Sequence, residues 1–69
     1  MTPSTTVSLL RWLRRQLREP TPQRERLEAA IAADDPAEAR RIVDRMSFSI
    51  EQRHHVESLL DAWEREATR

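Results

Sequence analysis

No glycine occurs anywhere in these 69 residues, whereas proline occurs four times. That absence limits what the chain can fold into more than any other feature. Tight hairpins of the Asn-Gly type need positive φ, and glycine is the usual residue just beyond a helix end. Gly-rich phosphate cradles and dinucleotide-binding turns are excluded for the same reason. Breaks fall instead to proline and to Ser, Thr and Asp, which also start helices. The expected fold class is all-α.

The punctuation predicts a small compact bundle of four helices, at about 5–18, 22–33, 36–46 and 50–67. The first stops ahead of Pro20, because the residue before a proline disfavours the α region. Thr21-Pro22 supplies an N-cap and a proline at the first helical position. Asp35, Pro36 and Glu38 form a start resembling a capping box, and Ser49 with Gln52 forms a better one. Residues 1–4 are expected to be a flexible N-terminus, 5–67 a single helical domain, and 68–69 a frayed end. Connections this short place consecutive helices side by side, and the first and last are expected to pack together.

The apolar positions follow helical spacing. Leu27, Ala30 and Ile31 mark one face of the second helix, and Ala39, Ile42, Val43 and Met46 one face of the third. Val56, Leu59, Leu60, Trp63 and Ala67 do so in the fourth. A domain of this size buries only about 60% of its unfolded surface. With no cysteine there is no disulfide or thiolate zinc site to support it, so oligomerisation or a partner is the remaining device.

The first helix is the most asymmetric element. At about 100° per residue, Arg11, Arg14, Arg15 and Arg18 fall in one sector, and Leu9, Leu10, Leu13 and Leu17 in the opposite one. Trp12 sits at the border. The chain is formally neutral, yet residues 1–20 carry a net +3, residues 21–46 a net −1 and residues 47–69 a net −2. Four like charges on one face repel mildly, so the arrangement is not there for stability. The readings it admits are an acidic protein surface, nucleic-acid phosphates, an anionic membrane, or a merely solvated face.

Zero net charge argues against nucleic acid. The third and fourth helices have the lengths of a helix-turn-helix, but the would-be recognition helix carries Glu51, Glu57, Asp61, Glu64 and Glu66 against Arg53 and Arg65. Position 53, where such a helix buries an aliphatic residue, is arginine. No segment approaches the roughly 18 apolar residues that span a bilayer, and no secretory h-region is present. His54, Glu57 and Asp61 share a helical row, which reads first as a hydrated face and as a zinc site only with a ligand from another chain. Ser58 follows His54 by one turn, but on an open helix the pair lacks a water-excluding pocket.

The expectation is therefore a non-enzymatic protein-interaction module without metal or cofactor. It would be a docking, adaptor or self-associating domain, with a homodimer among the options. Its partner surface would be acidic, and its binding residues would be Leu9, Arg11, Trp12, Leu13, Arg14, Arg15 and Arg18. A small regulator binding nucleic acid or an anionic membrane through the arginine face is the alternative. All basic residues are arginine, the pattern of a GC-rich bacterial genome, and the cysteine-free composition fits the cytoplasm.

Overall fold

The computed structural model describes residues 4–67, which form four helices and no strand. They are α1 (Thr5–Gln16), α2 (Pro22–Ala32), α3 (Pro36–Arg45) and α4 (Ile50–Ala67). Residues 1–3 and 68–69, expected to be loose ends, lie outside the described residues. Ser4, expected to be part of a flexible end, is instead the N-cap of α1: its Oγ accepts from the Val7 N–H at 3.3 Å. The other starts follow their caps. Thr21 Oγ1 accepts from the Arg24 N–H, and Asp35 Oδ1 from the Glu38 N–H. Ser49 and Gln52 exchange both bonds of a capping box, at 2.9 and 3.1 Å. At Asp35 only half of the box forms, because its own N–H bonds to the Ala30 carbonyl and Glu38 turns to Arg41.

Without glycine, the helix ends are closed by other means. At the end of α2 the Asp35 N–H reaches the Ala30 carbonyl and the Asp34 N–H reaches that of Ile31, the paired bonds of a Schellman turn. Asp34 occupies the left-handed position, at φ 54, where glycine is usual. The other two turns use arginine. Arg24 Nη1 donates to the carbonyls of Leu17 and Arg18 at 2.7 and 3.1 Å, covering the end of α1. Arg53 Nη2 donates to the Met46 carbonyl at 3.0 Å, at the end of α3. In each case a cation meets the negative end of a helix dipole from the following helix. This capture also explains why α1 ends at Gln16, two residues before its expected limit: Leu17 turns out of the helix at φ −116 and ψ 86.

The helices form a closed ring in which α1 lies against α2 and α4, and α3 against α2 and α4, with no close backbone approach across the diagonals among the described residues. Side-chain pairs fix the directions. Thr5 bonds to Glu66 at one end of the α1–α4 pair, and Gln16 bonds to Gln52 at the other, so the two helices run antiparallel. Likewise Arg40 meets Asp61 and Glu64 while Arg53 meets Asp44, making α3 and α4 an antiparallel hairpin.

The core is Leu9, Leu13, Leu27, Ala30, Ile31, Ala39, Val43, Met46, Val56, Leu60 and Trp63, with Leu10, Trp12, Leu17, Ile42, Phe48 and Leu59 packed partly buried around it. Ala67, assigned to the buried face of α4 by its spacing, is exposed at the final residue of the helix. Trp63 is almost fully buried, and its Nε1–H donates to Asp34 Oδ1 at 2.7 Å. Asp34 thus closes α2 and anchors the largest core side chain. Across the α3–α4 seam, both Arg40 contacts measure 2.8 Å. The Arg40 pKa is raised, chiefly by the hydrogen bond to Glu64, with burial opposing and Asp61 adding to the rise. A raised folded-state pKa means that this contribution is complete at neutral pH and is lost only as pH climbs beyond the ordinary arginine range.

Candidate functional site

The residues expected to bind a partner divide sharply. Leu9 and Leu13 are fully buried and offer no surface to a partner while the domain is folded. Their expected part in a helix-in-groove contact is corrected on that ground: their area is already used inside the ring. Arg18 is exposed but lies past the end of α1, so it extends the basic surface without belonging to the helix face. Arg14 points toward α2, where its Nε lies 2.8 Å from Glu28 Oε1. Arg24 reaches the same carboxylate at 3.7 Å, so Glu28 serves two arginines of different helices.

Arg11 and Arg15 remain on the outer side of α1, both exposed. Neither their guanidiniums nor that of Arg18 makes an ion pair or side-chain hydrogen bond among the described residues. Val7, 40% exposed, completes this side of the helix.

Trp12 lies in the seam between α1 and α4 and is half-buried. Its ring stacks on His55 with centroids 5.3 Å apart and an interplanar angle of 27°. Phe48, from the α3–α4 turn, also packs against it, at 5.5 Å and 48°, within the range of favourable aromatic pairs. Phe48 also borders a shallow hollow shared with Ile50, Arg53, His54 and Glu57. Ile50, 84% exposed, is the most exposed large apolar side chain among the described residues. A solitary exposed isoleucine is ordinary, but here it adjoins a half-exposed aromatic group.

Phe48, Ile50 and His55 were not among the residues singled out from sequence. Ile50 had a legible signal, because it opens α4 well off the row of Val56, Leu60 and Trp63. His55 had only a weak one, its place one turn before Leu59 at the edge of the apolar face, and the packing of α1 against α4 is what brings it to Trp12. The row His54, Glu57, Asp61 does not converge: Asp61 is held by Arg40. Among the described residues no group of three or more His, Asp or Glu side chains is placed to hold a metal ion. None of the helices is long and apolar enough to cross a membrane. Comparison with protein-family models, curated proteins and solved structures yields no match.

Proposed function

We propose that this domain is a non-enzymatic protein-interaction module that presents the outer side of α1 and the α1–α4 seam to an acidic protein surface. The observation that carries the reading is Trp12. A large ring left half-exposed in contact with Phe48 and His55, beside two arginines that pair with no acid among the described residues, has the composition of an interface centre, where Trp and Arg are enriched. In this reading Trp12, Phe48 and Val7 supply apolar area. Arg11, Arg15 and Arg18 supply orientation and a faster encounter. Contact is made on a preformed surface and the α1 leucines stay in the core. Docking to another protein and self-association both fit this surface, and a bacterial cytoplasm is the setting proposed for it, on the all-arginine basic composition.

The test carries a photo-crosslinking residue at position 7, on the same exposed side of α1, into the host cell, with Arg11 and Arg15 either intact or both replaced by Glu. The expected result is one dominant protein adduct that the double reversal abolishes. Thermal unfolding should stay unchanged, since exposed unpaired sites shift stability by no more than about 0.5 kcal/mol. Light scattering at low micromolar concentration separates the two forms of the proposal, a stable monomer excluding obligate self-association. Tight binding of duplex DNA or anionic vesicles at physiological salt, lost on the same reversal, would establish the alternative regulator instead.

A further inference from the structure

A basic concavity lies across the ring from this seam, between α2 and α3. It is a cleft of about 200 Å³ lined by Gln23 and Arg26 of α2 and by Glu38, Arg41, Ile42 and Arg45 of α3. Three guanidiniums face one carboxylate there. Arg41 Nη1 pairs with Glu38 at 3.3 Å, which accounts for the carboxylate. Arg26 and Arg45 make no ion pair or side-chain hydrogen bond among the described residues. Two unneutralised guanidiniums from different helices thus border one hollow, although the molecule as a whole has no net charge. Elsewhere the arginines that reach across helices meet acids: Arg14 with Glu28, Arg40 with Asp61 and Glu64, and Arg53 with Asp44.

We propose that this cleft binds the phosphoryl group of a small phosphomonoester, held by Arg26 and Arg45. Guanidiniums present planar forks of donors that match a tetrahedral oxyanion, and a concave site of one charge sign raises the local concentration of such an ion. A phosphomonoester carries about −1.5 to −2 charges near neutrality, enough to neutralise two arginines, whereas a single carboxylate leaves one uncompensated. The half-buried Ile42 offers an apolar wall for the organic remainder of the ligand. Glu38 opposes the anion by repulsion and by occupying Arg41, so it acts as a brake on affinity. The inference stands on residues separate from the α1–α4 surface, and its failure would leave the docking proposal intact.

The test is a titration of the 69-residue chain with inorganic phosphate and with phenyl phosphate at constant ionic strength, followed through the arginine Nε–H resonances. Acetate serves as the control anion. Saturable shifts are expected at Arg26, Arg41 and Arg45 but not at Arg11, Arg15 or Arg18, with phenyl phosphate binding more tightly than phosphate. Arg26→Gln with Arg45→Gln should weaken binding by about tenfold or more, from the loss of charge-assisted bonds. Glu38→Gln should tighten it. Circular dichroism of the double variant verifies that it is folded. Shifts that never saturate, that spread evenly over all exposed arginines, or that acetate reproduces would overturn the proposal. So would affinities that none of these substitutions changes.

Discussion

Asp34 holds a left-handed backbone conformation, which costs an ordinary side chain about 1–2 kcal/mol, and its carboxylate also accepts from the buried Trp63 indole. Glycine would relieve the first demand and abandon the second. Asparagine tolerates positive φ and keeps an acceptor oxygen. The stabilities of substitutions should therefore rank asparagine near the parent, glycine below it and alanine lowest. Asp34→Ala should lose about 2–3 kcal/mol, from an unpaired buried N–H together with unrelieved strain. Urea unfolding midpoints give this order directly, and an alanine variant as stable as the asparagine one would refute it. Nothing in the sequence advertised the role. Asp34 read as part of a helix break, Trp63 read as core, and the two stand 29 positions apart. Only the ring of helices brings them into contact.

Helix starts were legible because their signals are local: Thr21 with Pro22, Asp35 with Pro36, and Ser49 with Gln52 each act within a single turn. The ends of α1 and α3 were less so, because the cap comes from the next helix, seven positions along the chain. Arg53 illustrates the difference. From sequence it was only the residue that spoils a helix-turn-helix, while in the fold it closes α3. The same reasoning separates the leucines of α1. All four share a face by spacing, but only packing shows that Leu9 and Leu13 are enclosed and that Leu10 and Leu17 are partly open. If Arg24 is what ends α1, Arg24→Gln should destabilise the domain by about 1–2 kcal/mol. It should also speed amide exchange in the last turn of α1 while leaving α3 protected. Uniform acceleration across the molecule would show that Arg24 acts through global stability alone.

As a whole the molecule was read correctly as four helices, with α1 against α4 and a core drawn from all of them. Its surface was legible only in part. The basic face of α1 was visible because it is written along one helix, whereas the α2–α3 cleft needs Arg26 from one helix and Arg41 and Arg45 from another. The aromatic seam likewise takes Trp12, Phe48 and His55 from three segments.

The Thr5–Glu66 hydrogen bond has a consequence for how the domain can be carried. At 2.6 Å it holds the first turn of α1 beside the last turn of α4, so the backbone enters and leaves the ring at one place. A host chain could therefore be interrupted by this domain with little distortion at the point of insertion. For the same reason the helices should tolerate a different order along the chain. A circular permutant joined by a short linker near residues 5 and 66, and opened between Glu19 and Pro20, should recover the parent's far-ultraviolet dichroism and cooperative melting. If it melts without cooperativity, the order of the helices, and not only their ring, specifies the fold.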